Sequence, residues 1–127
     1  MRAVGAFALL AATACAAIPP QANPATLAEG ERAYQKCYSC HSLEGPDPTT
    51  QGPSLKGIVG RAVAAEPGFA YSPAMRAYAV EQLRWDREAL DAFIADPQAV
   101  VPDNEMGFFG IRDAEERRAL LDFLARS

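Results

Sequence analysis

Residues 42 to 70 set the strictest limit on how this chain can fold. The segment "EGPDPTTQGPSLKG" within them holds three prolines and three glycines. It shows neither the 3.6-residue period of an amphipathic helix nor the alternation of a strand. Its amides and carbonyls nevertheless need partners wherever they are buried. Long irregular segments of this kind are uncommon in compact domains.

The elements around it are helical. "TLAEGERAYQKC" offers Thr26 as N-cap with Glu29 three places on, a capping box, and Leu27, Tyr34 and Cys37 share a face. Gly30 inside that helix is costly and points to a close packing contact. "SPAM", residues 72 to 75, reads as a short helical turn capped by Ser72 with Pro73 at the first position. "WDREALDAFIADP" predicts a helix capped by Asp86 and stopped before Pro97, with Leu90, Phe93 and Ile94 on one face. The last helix starts at Asp113 and carries Leu120, Leu121 and Leu124 as its apolar stripe, with Phe123 beside them. The expected class is all-α, with three main helices and long loops. Three modest helices cannot bury so much irregular backbone around side chains alone, so a further body is expected at the centre.

The N-terminus reads differently. Arg2 precedes the apolar run "AVGAFALLAATACAA", and the proline-rich "IPPQANP" follows. That order describes a secretory signal, and the apolar run is short for a transmembrane helix. Residues 1–17 are assigned to the signal, 18–25 to a linker and 26–127 to the folded domain. Small residues before Cys15 also fit lipoprotein cleavage ahead of that cysteine, although Ala12 stands where leucine is usual. Soluble export is favoured, with a lipid anchor at Cys15 as the rival and the only membrane attachment expected. About 105 residues remain, enough to bury about two thirds of the unfolded surface. The chain has 12 basic and 16 acidic residues, with Lys36 and Lys56 its only lysines. An acidic chain without a basic stripe argues against nucleic acid as partner.

Against this background, "CYSCH" at 37–41 gathers two of the three cysteines and the only histidine. Cys-x-x-Cys-His is the attachment signature of c-type haem. Each thiol S–H adds across one porphyrin vinyl group, and the following histidine then lies under the ring centre, within reach of iron. Such a cofactor also supplies the missing core. Zinc needs four ligands and the chain lacks a second pair. A thioredoxin-like redox site expects a βαβ setting. A plain disulfide leaves His41 and the loops unexplained.

For the sixth position on the iron the candidates are Met75, Met106, the two lysines, water or nothing. Met75 sits in a helical turn, where methionine usually packs. Met106 lies in "VPDNEMGFFGI", which does not read as regular helix and can lay a thioether against a flat ring. Met106 is favoured, since His/Met is a known haem pairing that raises the potential. Iron held on both sides exchanges one electron and has no open place for a reactant, so no enzymatic activity is expected. The rivals are a ligand sensor or peroxidase-like protein, recognised by an open high-spin iron, and a dedicated subunit of one enzyme complex.

From about Leu27 to the C-terminus the chain resembles the class I cytochromes c. The matching pieces occur in order: "GERAYQKCYSCH", "GPSLKGIVGR", "GFAYSPAM", Trp85, "VPDNEMGFFGI" and "LLDFL". The resemblance implies the small cytochrome c fold wrapped around one covalent haem c. It implies Cys37 and Cys40 as thioether donors, His41 as proximal ligand and Met106 as distal ligand. Pro53 is implied to accept the other ring N–H of His41, and Arg61, Tyr71 and Trp85 to hold a buried propionate. Gly30 and Tyr34 would meet Leu120 and Phe123 where the first and last helices cross. Asn104 offers a further propionate donor.

Departures are visible as well. Phe93 stands where many relatives carry tyrosine, and Met75 where asparagine is frequent. Lys36 matches one member of the family's lysine ring, but most of the ring is replaced, with Asp103, Glu105 and Asp113 nearby. Strong positive steering toward an acidic partner is therefore not expected. The resemblance implies a periplasmic monomer shuttling electrons between redox proteins. Donors would be a dehydrogenase or a quinol-oxidising complex, and acceptors a terminal oxidase, a reductase or a photosynthetic centre.

Overall fold

The computed structural model describes residues 23–127. The signal expected over 1–17, Cys15 and the linker up to residue 22 lie outside the described residues. Five helices follow in order: α1 (Pro24–Tyr34), α2 (Pro73–Glu81), α3 (Arg87–Ala95), α4 (Pro97–Val100) and α5 (Ala114–Leu124). Among the described residues the only β pairing is an isolated antiparallel bridge between Ala62 and Arg84. The all-α expectation therefore holds, with five helices where three main ones are read from the pattern.

The differences have local causes. Helix α1 starts ahead of the expected cap at Thr26 and takes the last two linker positions. Asn23 is extended, and its Oδ1 accepts the Thr26 N–H at 2.8 Å and the Thr26 hydroxyl at 3.1 Å. Pro24 follows at the first helical position, where its fixed φ suits the turn and its missing N–H costs nothing. Helix α2 runs nine residues, longer than the turn at "SPAM" implies. Helix α4 is not legible in the sequence, because four residues carry no period. Asp96, at φ −155°, ends α3 and accepts the Ala99 N–H at 3.1 Å, so one aspartate closes one helix and opens the next. The other three caps fall where expected, with Ser72, Asp86 and Asp113 accepting from Met75, Ala89 and Glu116 at 2.8–3.1 Å.

Helix α5 is the hub. Ala119, Leu120, Leu121 and Leu124 are each at most 2% exposed, and α1 and α3 both pack on this helix. At the α1–α5 crossing a Cβ built on Gly30 would lie 2.6 Å from Phe123 Cβ and would collide with the Ala119 carbonyl oxygen. The close contact therefore runs to Ala119 and Phe123, with the Tyr34 and Phe123 rings 5.8 Å apart. On the surface, ion pairs join Lys36 of the turn after α1 to Glu116, and Arg87 of α3 to Asp122.

Much of the core comes from outside the helices. Ile58, Val63, Trp85, Val101 and Ile111 are all buried. The irregular segment is fastened by backbone bonds that substitute for regular structure. Gly60 N–H donates to Trp85 O at 2.7 Å, Trp85 N–H to Arg61 O at 2.8 Å and Val63 N–H to Leu83 O at 3.1 Å. These bonds hold the 58–63 turn beside the lead-in to α3.

Replacing Gly30 with alanine is expected to wedge α1 away from α5. The substitution should cost about 1–3 kcal/mol even after alanine's better helix propensity is credited. Denaturant titration of the parent and variant checks this, and equal midpoints would mean the crossing has slack.

Candidate cofactor site

Several chain segments converge on one cavity of about 450 Å³. The turn after α1 brings Cys37, Cys40 and His41, the irregular segment brings Pro53, Leu55, Ile58 and Arg61 with Tyr71 directly after it, and the stretch after α4 brings Asn104 and Met106. Trp85, Leu90 and Phe93 complete the wall from α3 and its lead-in, and Met75 from α2. Every site residue expected from the sequence thus lines the same space.

The imidazole of His41 is held with care. Its Nδ1–H donates to the Pro53 carbonyl at 2.6 Å. A carbonyl can only accept, so the hydrogen is on Nδ1 and Nε2 keeps its lone pair. Burial lowers the histidine's pKa, against the opposing effects of the Pro53 bond and of the Glu66 carboxylate. The ring is therefore neutral near pH 7 and able to bind a metal. A Cβ built on Gly52 would come 2.6 Å from Nδ1, so only glycine leaves the ring where it is. The Tyr34 hydroxyl donates to the His41 carbonyl at 2.7 Å, and Gly52 N–H to the Cys40 carbonyl at 2.7 Å. Both bonds tie the turn to its surroundings.

Cys37 and Cys40 form no disulfide. Burial pushes the Cys37 thiol up to about 11, so it is protonated at neutral pH. A thiol in that state is not a ready-made thiolate ligand for a metal ion. Among the described residues no three His, Cys, Asp or Glu side chains group as a metal-ion site.

Polar groups at the cavity wall fit a large apolar body bearing carboxylates. Arg61 is held by its two terminal nitrogens, which donate to Lys56 O at 3.0 Å and Ser54 O at 2.7 Å. Its Nε is buried with no partner among the described residues. A buried donor without an acceptor is costly, and a carboxylate in the cavity would remove that cost. Tyr71 accepts the Glu66 N–H at 3.0 Å, which leaves its own hydrogen free to donate. Trp85 is 6% exposed and packs 5.0 Å from Phe93, ring to ring. A covalent haem with buried propionate suits this wall.

Asn104 has a different task from the one expected. Its Nδ2 donates to Pro97 O at 3.1 Å and Val101 O at 2.8 Å, and its Oδ1 accepts the Met106 N–H at 2.9 Å. Both amide hydrogens are in use, so Asn104 is no propionate donor. It fastens the segment that presents Met106. Gly52 and Glu66 are not recognisable as site residues from the sequence. A glycine before a proline and a single acid in "VAAEPGF" look like ordinary loop, and only a fold that brings them to His41 reveals them.

No protein-family model matches the chain. It is 34% identical over 122 residues to a cytochrome c2 of Rhodomicrobium vannielii, covering 96% of this chain and 90% of the relative. A cytochrome c2 of Agrobacterium tumefaciens is 35% identical over 77% of this chain and 88% of its own length. Among solved structures, cytochrome cH from Methylobacterium extorquens superimposes with a TM-score of 0.71 at 33% identity, over 80% of this chain and 98% of that one. Likeness of this extent, to relatives matched over most of their own length, decides the family: the chain belongs to the class I cytochromes c, electron carriers rather than enzymes, with one covalently bound haem c.

Proposed function

We propose that this cytochrome is an exported single-electron shuttle whose haem is attached through Cys37 and Cys40 and ligated by His41 Nε2 and the Met106 sulfur. The observation that carries this reading is the 2.6 Å bond from His41 Nδ1–H to Pro53 O. It leaves an unprotonated Nε2 on a ring lining the cavity that the Met106 side chain and both cysteines also line. The bound haem supplies a ferric/ferrous couple.

The rest is done by the chain. Pro53 and Gly52 fix the orientation of the imidazole, so a change of oxidation state needs no turn of the ring. Asn104 holds the Met106 backbone, which keeps the thioether in place. Leu90, Phe93, Ile58 and Leu120 exclude water from the cavity, and Arg61, Tyr71 and Trp85 receive the buried propionate. A soft, neutral sulfur favours the ferrous state. With Phe93 in place of a tyrosine, no hydroxyl from that position tempers the sulfur's donation.

Export rests on the sequence of residues 1–17, and the periplasm is the compartment it implies. Among the described residues no helix is long and apolar enough to cross a membrane. Attachment through Cys15 is the one membrane contact the sequence suggests. Electron donors and acceptors are taken to be dehydrogenases, quinol-oxidising complexes, oxidases or reductases, met by a monomer.

Met106→Ala is expected to lower the midpoint potential and to let the iron take imidazole or cyanide that the parent excludes. Spectroelectrochemistry and ligand titration check this, and an unmoved potential removes Met106 from the role. The paired substitution Cys37→Ser with Cys40→Ser is expected to give a chain that loses haem and is largely unfolded. Without haem the cavity of about 450 Å³ must collapse or take up water against largely apolar walls, and a small domain has only about 5–15 kcal/mol of stability to lose. Circular dichroism and thermal unfolding of the haem-free chain read the outcome, and a cooperative native-like transition contradicts the idea that the cofactor completes the core.

A further inference from the structure

The peptide unit between Pro53 and Ser54 is engaged at both ends. Its carbonyl, on Pro53, accepts the His41 Nδ1–H at 2.6 Å. Its N–H, on Ser54, donates to Glu66 Oε1 at 2.8 Å. Ser54 is 1% exposed, so this bond is made out of water, while Glu66 is half-buried. Arg61 Nη2 clamps the next carbonyl, Ser54 O, at 2.7 Å, and the Tyr71 hydroxyl accepts the Glu66 backbone N–H at 3.0 Å. The geometry is therefore a chain from ring to carbonyl, across one amide, to a carboxylate.

An amide is conjugated, so what happens at one end is felt at the other. An anion accepting the N–H draws the amide toward its charge-separated form and makes the carbonyl oxygen more negative. Linked hydrogen bonds polarise one another in this way, most where the surroundings are dry. A more negative Pro53 oxygen pulls harder on Nδ1–H and leaves more electron density at Nε2. Partners of a ligating histidine raise its basicity by this route.

We infer that Glu66 is a positioning and tuning residue for the haem ligand, acting on His41 through the Pro53–Ser54 amide and holding the potential below the value that His/Met ligation alone would set. The inference rests on the proposed ligation by His41.

The test uses the haem-loaded full chain as parent, Glu66→Gln and Glu66→Asp. Midpoint potentials are measured together with the NMR positions of His41 Nδ1–H and the Ser54 amide proton in the ferrous state. Glutamine keeps the acceptor and its reach but loses the charge. It should move Nδ1–H upfield and shift the reduction equilibrium toward the ferrous form by up to about tenfold, 59 mV for one electron. Aspartate keeps the charge but is one methylene too short for Ser54, and it should resemble glutamine. A potential that rises for glutamine alone, with Nδ1–H unmoved in both variants, means a charge acting through space and overturns the relay. Parent-like values in both variants overturn it too. If His41 ring resonances in the ferric parent carry no paramagnetic shift, the ligation itself is wrong and the relay falls with it, before any variant is compared.

Discussion

A hydrogen bond of 2.6 Å between an imidazole and a proline carbonyl organises this protein. It decides which nitrogen of His41 is free, and it ties the turn after α1 to the irregular segment that begins at residue 42. Without it the "CYSCH" turn would be a pair of thiols and a ring with no set direction. The bond depends in turn on Gly52, whose missing side chain makes room for the ring, and on Ser54, whose peptide is gripped by Glu66 and Arg61. A functional atom is thus aimed by backbone groups that loops, not helices, provide.

The same division of labour runs through the fold. Helices α1, α3 and α5 form a small scaffold around Leu120, Leu121 and Leu124. The loops build the walls of the cofactor cavity and contribute Ile58, Val63 and Trp85 to the core. Such a design tolerates proline and glycine in large number, because a rigid body at the centre supplies the order that regular structure would otherwise give. It also explains the close α1–α5 crossing at Gly30. With few helices available, the scaffold has to be tight where it exists.

How much of this was readable in advance depended on how local the signal was. Ser72, Asp86 and Asp113 announce helices through a side chain and an amide three residues apart, and all three do so. The cysteine and histidine spacing is local too, and the structure gathers Cys37, Cys40, His41, Met75 and Met106 at one cavity. Asn23 was hidden because prolines around it look like linker, although asparagine before proline is also a good helix start. Helix α4 was too short to have a period. The task of Asn104 is not legible, because a loop asparagine has two donors and the sequence does not say where they go. Glu66 lies 25 positions from His41, and only the fold relates them.

The ion pair between Lys36 and Glu116 has a consequence beyond the little that an exposed pair adds to stability. Lys36 is one of two lysines in a chain of formal charge −4, and its ammonium is already answered from within. The electric field this carrier sends into solution is therefore that of a weak anion. Against a negatively charged redox partner, its collision rate would climb as electrolyte is added, until screening leaves only diffusion and fit.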